Sequence, residues 1–164
     1  MRRRVFAIVL CGIAALPPPA ARAQVIIDRV VERIYGQVLT QSDVWEAMTL
    51  RLVDAASFEQ AQRELENRML LLREATRVIT TPSADGAVAE RRAQWEAKLG
   101  AGESAAARLG RAGVTEAALT AWFRDALRIE AYLAQRFNSV AAADRPAAIA
   151  GWLRQLRERA GLPS

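Results

Sequence analysis

The sequence predicts a mainly α-helical protein, a small bundle of about six helices with a short N-terminal β-hairpin. Three observations lead to this prediction. Apolar residues recur at helical spacing over most of the chain, Ser or Thr stands where several of these stretches begin, and Gly or Pro punctuates the ends of others. From Gln24 onward the chain has 141 residues, which is enough for one domain with a hydrophobic core.

The first 23 residues have the features of a cleavable secretory signal peptide. A basic start, Arg2–Arg4, precedes the uncharged apolar run Val5–Leu16, which is too short to span a membrane as a mature helix. Small residues at alternate positions of Ala21–Ala23 suit signal peptidase, so we expect cleavage before Gln24. The sequence therefore predicts a periplasmic protein, with a single mature domain over 24–164 and no stable membrane insertion after cleavage.

The segment Gln24–Leu39 fits two structures. Four of its β-branched residues share one helical face, but their density and the break at Tyr35-Gly36 also suit two short strands joined by a turn. Periodicity alone leaves both open.

Helices are predicted over the rest of the chain. Two of them are expected to open with capping boxes, Thr40 with Asp43 and Ser57 with Gln60. The helix that starts at Ser57 has apolar residues on more than one side, so we expect it to be central. The predicted helices run from Thr40 to about Val53, Ser57 to about Arg77, Ser83 to about Leu99, Glu103 to Ala112, Thr115 to Phe137 and Pro146 to Ala160.

The composition removes several common reactive groups. The chain has no histidine, and its one cysteine, Cys11, lies in the predicted signal peptide. Zinc, haem and iron–sulfur sites thus lose their usual ligands, and no serine has a histidine to serve as its base. Lys98, the only lysine, is expected beside Glu96 on a polar helix face. We expect no metal, no cofactor and no catalysis.

The charge balance argues against a nucleic-acid partner. Four of the 23 basic residues lie in the predicted signal peptide, so the mature chain contains 19 basic and 18 acidic residues. A net charge of +1 lacks the basic excess that nucleic acids or anionic membranes attract.

The large apolar residues are candidates for contact with another polypeptide. All four tryptophans lie on apolar stripes, and core packing is their usual role. The alternative is an exposed groove, which flexible methionine side chains would suit. The sequence leaves open which stripe is exposed; the candidate contact residues are Trp45, Met48, Met69, Trp122 and Phe123.

Five segments together resemble the N-terminal module of SurA-type periplasmic chaperones. The opening resembles that family's strand, turn, second strand and Ser-Asp helix start, and the later segments resemble its leucine-rich second helix, its long helix and the final helix that packs back. No single segment is specific, but their order spans the mature chain. The segments are Asp28–Val44, Glu66–Ala75, Val114–Leu119, Leu127–Phe137 and Trp152–Ala160.

The resemblance implies a β-hairpin at the start of the domain and a chaperone-like activity. In that family parvulin prolyl-isomerase domains commonly lie between the long helix and the last one. Here about fifteen residues separate Phe137 from Trp152, whereas an independent domain needs at least about fifty. The resemblance therefore implies an ATP-independent holdase for unfolded polypeptides or outer-membrane protein precursors, without a parvulin isomerase.

Two other functions remain open from the sequence. The chain could be a structural or adaptor subunit that binds one folded partner, or a homodimer formed through an apolar stripe. A prolyl isomerase with a site unrelated to parvulin is the third alternative.

Overall fold

The computed structural model describes residues 28–99 and 102–163. Within them the chain forms a two-stranded hairpin followed by six helices, which confirms the predicted fold class. The predicted signal peptide lies outside the described residues. The elements are β1 (Val30–Ile34), β2 (Gln37–Thr40), α1 (Gln41–Thr49), α2 (Phe58–Val78), α3 (Asp85–Leu99), α4 (Ala105–Ala112), α5 (Glu116–Arg136) and α6 (Arg145–Ala160).

The hairpin settles the ambiguous opening segment in favour of strands. β1 and β2 pair antiparallel across a two-residue turn in which Tyr35 has a φ of 49° and Gly36 a φ of 85°. This turn twists in the sense that suits paired strands, and it needs the left-handed backbone that glycine adopts without strain. Ile34 and Leu39 are buried and fix the hairpin to the helices.

Helix α1 starts as predicted and ends earlier than predicted. The Thr40 hydroxyl accepts from the amide of Asp43, whose carboxylate accepts from the amide of Thr40 at 2.8 Å, so the capping box is confirmed. The prediction that the helix continues to about Val53 was wrong. Arg51 takes a left-handed conformation (φ 52°), and the amide of Leu52 turns back to the carbonyl of Ala47 at 2.9 Å.

Helix α2 is the central element, as predicted. It packs against α1, α5, α6 and β1, so it buries residues on several of its sides. Ser57 caps it by accepting from the amide of Gln60. The expected return bond of the capping box is displaced by one residue, since the Gln60 side chain accepts from the amide of Ala56 at 3.1 Å.

Buried arginines connect helices α4 and α6 to the rest of the bundle. Arg108 of α4 forms an ion pair with Glu103 and donates to the carbonyl of Thr49 at 3.2 Å, which ties α4 to the end of α1. Arg157 of α6 forms an ion pair with Glu66 of α2 at 3.0 Å. These contacts hold the outer helices in place around α2.

The core is divided into three neighbouring clusters along α2 and α5. One lies between α2, α5 and α6, a second between α3, α4 and α5, and the third between β2, α1 and the first half of α2. Their members include, in order, Leu70, Tyr132, Phe137 and Trp152; Trp95, Leu99, Leu119 and Phe123; Leu39, Val44 and Leu65. A surface groove opens where the third cluster meets α5.

Candidate functional site

An open groove of about 510 Å³ runs between β2, α1, α2 and the start of α5. Its volume lies within the range of about 300–1,000 Å³ that is typical of ligand pockets. Most of its walls are apolar, and polar side chains lie among them at a few positions. The apolar lining includes Leu52, Met69, Leu72, Val114 and Trp122, and the polar lining includes Gln37, Asp43, Glu46 and Arg68.

Trp122 is held in place by an arginine. The guanidinium of Arg68 lies 3.7 Å from the centroid of the indole ring and donates to the carbonyl of Trp122 at 2.9 Å. Burial lowers the pKa of Arg68 to about 10, and the negative charge of Asp125 partly opposes this. Arg68 therefore stays charged at neutral pH, and its contacts hold the indole ring of Trp122 as a fixed aromatic surface of the groove.

Met69 is the adaptable element of the lining. It is half-buried and packs against two of the three core clusters while part of it faces the groove. An unbranched thioether changes rotamer at low cost, so this wall can adjust to side chains of different shape.

Two carboxylates stand on the α1 side of the groove. Asp43 is committed to the helix cap, where it accepts from both the amide and the hydroxyl of Thr40. Glu46, one turn further along α1, is partly buried. Burial raises its pKa, and the negative charges of Asp43 and Asp28 raise it further.

The structure brings together only two of the five candidate contact residues. Met69 and Trp122 line the groove, but Met48 packs into the cluster around Val44. Phe123 is 4 % exposed and belongs to the core, so it leaves the set of surface contacts.

Trp45 lies elsewhere on the surface. It is 51 % exposed, the most exposed large apolar side chain among the described residues. It packs against Phe58 with ring centroids 5.4 Å apart, beside a shallow depression that Val30 and Val31 also line. Trp45 therefore belongs to a separate apolar patch, made by Trp45, Phe58 and Val30.

Sequence reasoning missed two polar residues of the groove. Arg68 had a signal, since it lies three residues after Leu65 and four before Leu72, which places an arginine on an apolar helix stripe. Glu46 had none, because an acidic residue next to Trp45 is typical of a solvent-exposed face. Only the packing of α1 against β2 and α2 brings it to the groove wall.

The described part of the chain contains no group of three or more His, Cys, Asp or Glu side chains placed to hold a metal ion. Asp85, a carboxylate of α3, forms an ion pair with Arg124 at 3.0 Å. Lys98, the single lysine, is exposed.

None of the helices among the described residues is both long and apolar enough to cross a membrane. Compared with known proteins, the chain matches no family model, no curated protein and no solved structure.

Proposed function

We propose that this chain is a periplasmic, ATP-independent holdase of the SurA type, which binds apolar segments of unfolded polypeptides such as outer-membrane protein precursors. The observation that carries the proposal is the open groove with Met69 and Trp122 in its walls. It is wide enough for a few side chains at a time, it has one fixed aromatic wall and one adaptable wall, and it stays accessible from solvent.

The physical basis of binding is the burial of client side chains. Each 100 Å² of apolar surface removed from water contributes roughly 2.5 kcal/mol before the entropy of ordering the client is subtracted. An open groove of this size thus gives weak, reversible binding, which suits a protein that must release its clients. No catalytic step and no cofactor belong to the proposal.

The arrangement of elements also supports it. The chain has a hairpin, a capped helix, a central leucine-rich helix, a long helix and a final helix packed on the second one, in this order. This is the order that the resemblance to SurA-type N-terminal modules implies. The expected export signal agrees with a periplasmic site of action.

Two matched variants of α5 test the proposal. Ala118 is exposed and lines the groove, whereas Ala117, its neighbour in the same helical turn, is exposed and lines no described groove. Glutamate in the first turn of a helix interacts favourably with the helix dipole, so Ala118→Glu and Ala117→Glu should both keep the fold stable. Of the two variants, only Ala118→Glu adds a charge to the lining of the groove.

The measurement is suppression of aggregation of a urea-diluted outer-membrane protein by the chain from Gln24 onward, which contains every described residue. We expect suppression by the unmodified chain and by Ala117→Glu, and a loss of roughly tenfold in effective concentration for Ala118→Glu, the ratio that corresponds to about 1.4 kcal/mol. A failure of the unmodified chain at several-fold molar excess would contradict the proposal.

The patch made by Trp45, Phe58 and Val30 favours a second candidate function. An exposed tryptophan packed against a partly buried phenylalanine is typical of a surface that binds one folded partner, as in an adaptor subunit or a homodimer. Trp45→Ala separates the two: an adaptor loses a partner that co-purifies in a fixed ratio, whereas a holdase that works through the groove keeps its ability to suppress aggregation.

A further inference from the structure

Glu46 is a partly buried carboxylate of the groove wall whose charge no cation among the described residues balances. Burial disfavours its ionised form, and the charges that act on it most strongly are the negative ones of Asp43 and Asp28. Among the described residues, no lysine or arginine forms an ion pair with Glu46. A carboxylate in such a place usually has a positively charged partner or gives up its charge.

Among the described residues, the one cation that lines this groove, Arg68, is already engaged. Arg68 is stacked on Trp122 and bonded to the carbonyl of that residue, and the carboxylate that acts on its pKa is Asp125 rather than Glu46. The carboxylate of Asp43 accepts hydrogen bonds from the amide and the hydroxyl of Thr40 in the helix cap, and neither of these groups is a cation. The α1 wall of the groove therefore carries a negative charge, beside an apolar lining, that no cation in the described part of the chain compensates.

We infer that the groove prefers apolar polypeptide segments that carry a lysine or an arginine, whose cation pairs with Glu46. The inference rests on the proposed function and names the class of segment that the site takes. Lysine and arginine suit this position because their long aliphatic stems pack along apolar walls while their charged ends reach a carboxylate. An acidic client side chain at the same place would meet Glu46 and Asp43, and it would be repelled.

The size of the groove favours a short segment over a folded partner. Its volume of about 510 Å³ accommodates a few side chains, whereas a specific interface between folded proteins buries about 800 Å² on each partner. The charge pattern then provides the selectivity, because apolar contacts alone discriminate weakly between sequences.

Three fluorescent peptides test this inference. They share one apolar core of leucine and phenylalanine and differ at a single flanking position, which is lysine, glutamine or glutamate. For the unmodified chain we expect the lysine peptide to bind roughly three- to tenfold more tightly than the glutamine peptide, and the glutamate peptide to bind most weakly. Fluorescence anisotropy at low salt gives the three dissociation constants.

The matched variants are Glu46→Gln and Glu158→Gln. Glu158 is exposed on α6 and lines no described groove, so its variant controls for the loss of one negative charge from the protein. We expect Glu46→Gln to bind the lysine and glutamine peptides equally, with little change for the glutamine peptide, and Glu158→Gln to keep the preference for lysine.

The outcomes separate this inference from the proposed function. Equal binding of all three peptides by the unmodified chain overturns the inference and leaves the holdase proposal standing, whereas no binding of any peptide overturns both. A preference for lysine that persists in Glu46→Gln overturns the assignment to Glu46. A second copy of the chain is the other occupant that the test can reveal: sedimentation would show a dimer that Ala118→Glu dissociates, and this result also overturns the inference.

Discussion

Two glutamates of this small domain differ in what surrounds them. Glu66, in the contact between α2 and α6, is 5 % exposed and has both carboxylate oxygens bonded, one to Arg157 at 3.0 Å and one to Gln62 at 2.8 Å. Glu46, in the groove, is partly buried and forms no ion pair with any residue that the structure describes. The charge of the buried glutamate is compensated by a neighbouring arginine, whereas the charge of the groove glutamate is not compensated by any described residue.

The partner of Glu66 is itself fully used. Arg157 also donates to the side chain of Asn67 at 2.9 Å and to the carbonyl of Pro163 at 2.7 Å, so each of its three nitrogens has an acceptor. A network with every member satisfied fixes the position of α6 and leaves nothing for a ligand. A buried charged group therefore marks a candidate binding site in this molecule only where its compensating group is missing.

The largest expected effect comes from breaking the closed network. Arg157→Met leaves Glu66 buried without its cation, and removal of one partner of a buried ion pair costs about 3–5 kcal/mol of unfolding free energy. Urea unfolding followed by circular dichroism measures this loss. Arg154→Met, at an exposed position of the same helix, should change the stability by less than about 0.5 kcal/mol.

A double variant sharpens the interpretation. Glu66→Leu combined with Arg157→Met removes both charges, so it should recover a large part of the stability lost in Arg157→Met alone. If the double variant is as unstable as the single one, the network is important for its packing rather than for its charge balance.

A smaller effect is expected at the base of the groove. The indole of Trp95, 5 % exposed, donates to the carbonyl of Leu50 at 2.7 Å, and Leu50 lies where α1 ends and the groove wall begins. Trp95→Phe keeps an aromatic ring but leaves this carbonyl without its donor, which costs about 1–3 kcal/mol. Thermal unfolding measures it, with Trp45→Phe at an exposed position as the control. An equal loss in both variants would contradict a structural role for the bond.

The sequence predicted the helices better than it predicted the groove. Apolar periodicity and the caps at Thr40, Ser57 and Thr115 are local signals, and each cap accepts a hydrogen bond from the amide three residues further along. The groove depends on which stripes remain uncovered, and this is decided by long-range packing. Trp122 and Phe123 are adjacent in sequence, yet one lines the groove and the other lies in the core.

The same limit applies to charged residues. Glu66 follows Leu65 and precedes Asn67, so its sequence context suggests an exposed helix position, and its partner Arg157 lies 91 residues away. Neither the buried pair nor the unpaired Glu46 has a local signature. Charge compensation in this fold depends on tertiary contacts between residues that are far apart in the sequence, so local sequence patterns do not predict it.

The smallest predicted effect concerns the cost of leaving Glu46 open. The pKa of Glu46 is raised in the folded state, so the folded chain holds a proton at a pH where the unfolded chain has released it. The contribution of this residue to stability therefore falls as the pH rises through the raised pKa.

Glu46→Gln removes this penalty. We expect the variant to unfold at a slightly higher temperature at neutral pH, and the difference to disappear in acid below the ordinary glutamate pKa of about 4.3, where both forms are uncharged. Because solvent screens a partly exposed carboxylate, the gain should stay below about 1 kcal/mol, the upper limit for exposed pairs. Melting curves from about pH 3 to about pH 8, which reach from below the ordinary glutamate pKa to above neutrality, give the comparison. If Glu46→Gln is more stable and also loses its preference for lysine-bearing peptides, the charge of Glu46 is kept at the expense of stability, as expected for a binding site. If the variant is less stable, Glu46 has a structural partner, as Glu66 does.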